Sequence, residues 1–151
     1  MRRSTTISIF PDVNVWLALN HAIHQHHSAA VHWFHQQPED SAFVFCRHTQ
    51  LGLFRLLTTA VVMGEDTLTQ AQCWTLYDQW TVPGKAILSA EPRDLDRFLR
   101  DLTGSERPSP KEWADAYLAA FAESAGLQLA TFDRALASKA SGAILLEPSP
   151  N

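Results

Sequence analysis

Asp12, Asp115 and Asp133 are the side chains in this sequence whose placement could do chemistry. Asp115 lies within Trp113 to Ala122, a stretch apolar on nearly every side and therefore patterned for a helix buried all round. A buried carboxylate without a partner is costly or takes up a proton, so it normally carries a hydrogen-bond network, a salt bridge or a metal ion. Asp133 stands where the apolar strand Leu127 to Phe132 gives way to the next helix, and Asp12 follows the apolar Ile7, Ile9 and Phe10. In an open α/β sheet such strand ends gather at one edge, where sites form. Three carboxylates meeting there repel and raise one another's pKa, and a hard divalent cation, Mg²⁺ or Mn²⁺, relieves them. Such an ion holds phosphate oxygens and activates water for in-line attack on phosphorus. No serine, cysteine or histidine nucleophile is required.

The elements that must position these acids follow from caps and periodicity. Ser109, Pro110, Lys111 and Glu112 read as a capping box with proline at the first helical position, and Gly126 as a stop, which predicts a helix from Pro110 to Ala125. That assigns Glu112 to capping. Asp12 precedes a helical pattern in which Val15 and Leu19 turn inward, so a plain N-cap role stands beside the ligand role, and Asn14 shares the ambiguity. Ala42 to Cys46 reads as a second strand, with Thr49 capping a helix that carries Leu53, Phe54, Leu57 and Val61 and closes at Gly64. Thr49, Gln50 and Gly52 then share the acids' sheet edge if all strands run parallel. Arg55, one turn on, suits a salt bridge or a phosphate contact equally.

Thr69 caps a helix whose Trp74, Leu76, Tyr77 and Trp80 form a core or subunit-interface stripe. Ala86 to Ser89 reads as a third strand, Pro92 opens a helix with Leu95, Phe98, Leu99 and Leu102 on one face, and Ala143 to Leu146 is a last short strand. Strands and helices alternate throughout, which predicts an α/β fold: a three-layer α/β/α sandwich around a mainly parallel sheet of four to five strands.

Six of the seven histidines fall between His21 and His35. No cysteine or carboxylate completes a tetrahedral set there, so the stretch reads as a solvated loop and helix face, capped by Ser28, with Ala30, Trp33 and Phe34 inward. At 151 residues and 46% hydrophobic composition, one domain over residues 1–151 is expected. Cys46 and Cys73, without a C-x-x-C spacing, fit a reducing cytosol. No apolar run approaches the roughly 18 residues of a membrane span and Met1 to Thr6 lack the apolar core of a secretion signal, so a cytoplasmic protein is expected. The net charge of −4 argues against a general nucleic-acid-coating surface while leaving room for a basic rim around an acidic, metal-filled centre.

D-V-N-V after strand one, A-D-A-Y-L in the penultimate helix and A-T-F-D-R-A-L after strand four resemble the PIN domain, and more narrowly the VapC-type toxin ribonucleases. The similarity extends through the His-rich segment, the T-Q-x-G-x-x-R stretch from Thr49 to Arg55 and the E-P-x-D-L junction at Glu91. It implies a Mg²⁺-dependent endoribonuclease acting on structured RNA and leaving a 5′-phosphate. It also implies an antitoxin that occludes the site, and a homodimer. By the same resemblance Asp12, Asp115 and Asp133 match the metal-binding acids and Asn14 and Thr131 match polar neighbours that steady them; Gln50 is a further supporting candidate, and Arg55 and Arg134 are candidate substrate contacts. Many PIN domains carry a glutamate in the first turn after strand two, where this chain offers Gln50 and Gly52. T-Q-x-G resembles a subgroup of the toxins, so the departure is expected to weaken one metal site and not to abolish activity.

Two other aspartate-centred designs fit less well. A phosphoryl-accepting receiver domain needs adjacent acids after strand one and a lysine after the last strand, whereas Asp12 stands alone and Leu145 to Pro148 contain no lysine. A dehalogenase-like phosphatase needs an acid where Asn14 stands. The remaining alternative is an inactive PIN domain that binds RNA or a partner protein without cleaving, for which the absent glutamate is the support.

Overall fold

The structure, a computed structural model, describes residues 7–148; the amino-terminal residues read for a secretion signal lie outside them. Strands β1 (Ser8–Pro11), β2 (Ala42–Phe45), β3 (Ala86–Leu88), β4 (Gln128–Thr131) and β5 (Ile144–Leu145) form one sheet in the order β3-β2-β1-β4-β5. Every pairing is parallel. Parallel sheets survive only when both faces are covered, and the strand sequences supply two apolar faces by alternation. Ile9, Phe43, Phe45 and Ala130 join one core with Trp16, Leu53 and Leu57, and Phe10, Val44 and Leu129 join the other with Leu118, Phe121 and Leu136. Trp16 stacks on Phe45 at 3.9 Å on the first side, and Phe10 on Phe121 at 5.1 Å on the second. Helices α1 (Val13–Asn20), α2 (His27–Gln36), α3 (Arg47–Leu57), α4 (Ala60–Met63) and α5 (Gln70–Thr81) come between β1 and β3; α6 (Leu95–Leu102) and α7 (Glu112–Ala125) follow, and α8 (Arg134–Ala137) links β4 to β5. The expected α/β/α sandwich is thus observed.

The chain leaves β1 toward β2 on one side and later returns as β4 on the other. That reversal opens a crevice at the carboxyl ends of β1 and β4, the place where open parallel sheets bind ligands. Asp12 and Asp133 sit at those two ends.

Several local expectations change. Strand β1 runs through Pro11, paired with Ala130, and the following Asp12 N–H donates to the Ala130 carbonyl at 2.9 Å. Helix α3 starts two residues before Thr49, because Cys46 is its cap: the Cys46 sulfur accepts from Thr49 N–H at 3.4 Å while Thr49 Oγ1 accepts from Cys46 N–H at 3.0 Å. It also stops at Leu57, where the Thr58 and Thr59 hydroxyls turn back onto the Phe54 and Arg55 carbonyls, leaving Val61 97% exposed on a separate turn. Helix α2 begins at His27 with His26 as its cap, so Ser28 lies inside the helix and not at its start.

The capping box proposed for α7 does not form. Ser109, preceding a proline and thereby excluded from ordinary helical backbone, has φ of +40°. It meets Glu112 only through its carbonyl, which accepts from Glu112 N–H at 3.1 Å, and α7 begins two residues later than expected without a side-chain cap. Nor is the helix buried all round: Trp113 and Ala114 are exposed, and continuous burial starts beyond Asp115. The far end behaves as read, with Gly126 in the left-handed conformation at φ +68°. Gly52 has a packing reason: a Cβ there would come within 2.8 Å of Val13 Cγ2, so it lets α3 lie against α1.

Candidate active site

The site grows out of two strand-to-helix junctions. Asp12 caps α1, its Oδ1 accepting from Val15 N–H at 3.0 Å. Asp133 caps α8, its Oδ1 accepting from Ala135 N–H at 2.8 Å and Leu136 N–H at 3.1 Å. Thr131, fully buried at the end of β4, ties the two together: its hydroxyl donates to Asp12 Oδ2, and its oxygen accepts from Asp133 N–H at 2.9 Å. Capping and ligand roles are therefore not alternatives for Asp12. Each carboxylate oxygen has further lone pairs, so the hydrogen bonds aim the acid without exhausting it.

Electrostatics links the third acid. Asp12 is 5% exposed, and its pKa is raised by burial first, against hydrogen bonds from Thr131 and the Val15 and Asn14 backbone, with the Asp133 charge adding to the rise. Asp115, half-buried on α7, also has its pKa raised, by burial, then by Asp133 and Glu112, while Lys139 opposes them. Asp133 is the charge both others feel.

Asp12, Asn14 and Asp133 line a cleft of about 380 Å³ whose other walls are His24, Gln25, His26 and Phe132. Asp115 is not among the residues lining it; it stands beside Asp133 on the α7 side. Asn14 continues into a second hollow, about 450 Å³, that reaches His48, Gly52 and Arg55 along α3. Arg55 thus flanks the acids one hollow away, and Arg134 is exposed on α8 next to Asp133. Gln50 goes elsewhere: it is 1% exposed, with Oε1 accepting from Arg47 Nη1 at 2.6 Å, and lines neither hollow.

The histidine-rich stretch, expected as solvated surface, contributes two of its rings to the cleft. His24 and His26 sit in the connection between α1 and α2, which folds back over the end of β4 so that the His26 ring stacks on Phe132 at 4.8 Å. Burial, then the neighbouring His26, His21 and His27, hold the His24 pKa below its ordinary value. The ring is therefore neutral at neutral pH and accepts from His26 N–H at 3.0 Å through Nδ1. The density of histidines directly after the Asp12 helix was the available signal; without the sheet order nothing indicated that this loop faces Asp133.

Among the described residues, no three His, Cys, Asp or Glu side chains are gathered closely enough to form a finished ligand set. The donors still suit Mg²⁺ or Mn²⁺. They are carboxylates only, Asp12 and Asp133 lie in an open polar cleft, and Mg²⁺ is usually held through one or two carboxylates with water completing its shell. Burial raises the pKa of both Asp12 and Asp115, and a cation bound beside them would offset that cost.

Fold and site together define an α/β/α domain with an acidic cleft at the switch point of a parallel sheet. The model of the PIN domain matches residues 9–142. Ribonuclease VapC41 of Mycobacterium tuberculosis is 39% identical over 128 residues, covering 82% of this chain and 88% of that protein. Ribonuclease VapC29 of the same organism is 31% identical over 134 residues, covering 87% and 90%. Among solved structures, the Mycobacterium tuberculosis toxin VapC20, described as cleaving the sarcin-ricin loop, superposes with a TM-score of 0.65 at 16% identity, covering 93% of this chain and 99% of that one. The chain belongs to the PIN-domain family, and within it to the VapC-type toxin ribonucleases.

Proposed function

We propose that this protein is a divalent-metal-dependent endoribonuclease that cuts a structured RNA by attack of water on a phosphodiester, leaving a 5′-phosphate. In this reading it is the cytoplasmic toxin of a toxin-antitoxin pair. The observation that carries the proposal is the Asp12–Thr131–Asp133 hydrogen-bonded set at the switch-point cleft, with Asp115 inside the field of Asp133. The relatives named as ribonucleases support the reaction class, and the loop-cleaving activity named for VapC20 supports structured RNA as the substrate.

Asp12, Asp133 and Asp115 would hold the cation. Mg²⁺ or Mn²⁺ bound there supplies charge for the phosphate oxygens and lowers the pKa of water. The chain's own contribution is preorganisation. Thr131 fixes the separation of Asp12 from the Asp133 backbone, and the caps of α1 and α8 fix both carboxylates against rotation. Two partially positive helix starts face the acids, which moderates their mutual repulsion. Arg55, which lines the hollow shared with Asn14, and Arg134, exposed beside Asp133, would meet phosphates on either side of the cut. In the same reading a homodimer presents the cleft and an antitoxin covers it.

Cleavage of RNA by purified protein with Mg²⁺ or Mn²⁺, silenced by chelator and by Asp12→Asn or Asp115→Asn, is the expected result. Unchanged cleavage in those variants would refute the site. A second reading, an inactive domain that binds RNA or a partner protein, is favoured by the end of β2, where Arg47 and Gln50 pair in place of an acid. Metal-dependent protection from melting without cleavage of any RNA would support it.

A further inference from the structure

We propose that the stacked His26–Phe132 pair is a base-binding wall, which takes an unpaired nucleobase beside the phosphate to be cut. This rests on the nuclease reading and adds the kind of nucleotide the cleft accepts. Phe132 lies between Thr131, which holds Asp12, and Asp133, so its ring is fixed next to the acids by the chain itself. The His26 ring packs on it at 4.8 Å with 26° between planes. The loop carrying His26 is braced within itself, where His24 Nδ1 accepts from His26 N–H at 3.0 Å, and tied to α1, where His27 Nδ1 lies 2.7 Å from the Ala18 carbonyl oxygen. Both rings of the stacked pair are only half-buried, and both line the same cleft as Asp12 and Asp133.

A base inside a duplex keeps its faces against its neighbours, whereas a base in a loop or bulge can leave the stack and lie on an aromatic ring. Ring stacking is tolerant of sequence, because every base has a π face. The Gln25 amide and the His24 ring, in the same wall, offer polar atoms to a base edge and can add a modest preference. An unpaired base can lie on this wall, whereas a base held inside a helix has no free face to offer it.

The test uses the full chain and two hairpin RNAs, one with 2-aminopurine in an unpaired loop and one with it in the paired stem, first without metal so that nothing is cut. The parent is expected to quench the loop probe and not the stem probe. His26→Ala should lose the quench and bind the loop hairpin about tenfold more weakly, in line with the worth of one stacked base. His26→Phe, which keeps a ring on Phe132, should retain both quench and binding, and melting curves of both variants guard against loss of fold. With metal, His26→Ala should raise KM and change kcat little. Equal quench in parent and His26→Ala, equal quench of the stem probe, or a matching loss in His26→Phe would each overturn the wall. The nuclease reading fails separately: a preserved loop quench with no cleavage would keep the wall as an RNA contact and remove the reaction.

Discussion

Two strand ends at the same sheet edge are built on one plan and carry different chemistry. At the end of β1, Asp12 caps α1 and is tied through Thr131 to Asp133; at the end of β2, Cys46 caps α3 and the first turn pairs Arg47 with Gln50. Both junctions satisfy the orphan N–H groups of a helix start. Only the first does so with a charged group, at a cost in burial that shows as a raised pKa. An N-cap is thus a convenient place to keep an aspartate pointing at a ligand, because the backbone supplies donors whether or not a cation is present. The β2 junction has closed that option by giving the cap to a thiol and the turn to a neutral, internally paired amide.

The sharpest way to break the comparison is Asp12→Asn. Asparagine caps a helix about as well as aspartate, so the fold should persist while cleavage falls by at least about a hundredfold. The stability effect has the opposite sign. Because the folded-state pKa of Asp12 lies above its ordinary 3.8, the stability linked to this group is fully present below that value and is lost as pH rises through the raised pKa. Metal-free Asp12→Asn should therefore melt higher than the parent at pH 7, with the gap closing in acid. Mg²⁺ should raise the parent's melting temperature and leave the variant's unchanged. A parent and variant that melt alike at pH 7 would mean the buried carboxylate is not a liability.

Thr131→Val comes next. It keeps the volume of a side chain that is fully buried and removes the hydroxyl that serves Asp12 and Asp133 together. Leaving a buried donor and acceptor unsatisfied costs about 1–3 kcal/mol. Loss of an outer-shell orienting group lowers metal affinity by about tenfold or more. Denaturant melts and a Mg²⁺ titration of cleavage read the two effects separately. Unchanged metal dependence would show that the acids hold their places without the threonine.

Much of this arrangement was legible from sequence because parallel sheets leave a strong local record. Apolar strands ending in Asp12 and Asp133, and alternation with helices, were enough to place two acids at one edge. What was lost was register and direction. Ser109 and Glu112 have the spacing of a capping box, but Ser109, which Pro110 keeps out of the ordinary helical region, takes a positive φ that spacing does not encode. The histidine loop looked like solvated surface because its relation to Phe132 depends on β4 lying beside β1, more than a hundred residues away in the chain. The half-burial of Asp115 was hidden for the same reason: helical periodicity reports apolar faces and not which turn of a helix emerges from under its neighbours.

Gln50→Glu sharpens the other half of the comparison, since it restores the acid that many PIN domains carry. The new carboxylate would lie against Arg47, whose Nη1 is 2.6 Å from Gln50 Oε1, and would form an ion pair there and not turn to the cleft. Cleavage should change by less than about threefold, under 1 kcal/mol of barrier. A gain of tenfold or more, or a new dependence on a second equivalent of metal, would show that Gln50 can reach the acids and that the β2 junction is an unfinished ligand site.

The smallest effect is expected at Glu112, and its direction separates two readings of one residue. As a capping-box member Glu112 would stabilise α7, and removing it would lower stability more than turnover. The structure shows no such cap and leaves Glu112 exposed, one helical turn before Asp115, contributing to the rise in the Asp115 pKa. Glu112→Gln should accordingly leave stability within about 0.5 kcal/mol, as for a surface change without a specific partner. Its charge effect acts on Asp115 alone: with one negative neighbour removed, Asp115 ionises at lower pH, and the acid limb of the pH–rate profile should move downward. Burial and Asp133, the larger causes of the raised pKa, remain, so in the metal-free protein Asp115 should still ionise above an ordinary aspartate. A loss of stability with an unmoved pH profile would restore the capping role; a selective loss of kcat in the folded variant would make Glu112 the fourth acid that Gln50 does not provide.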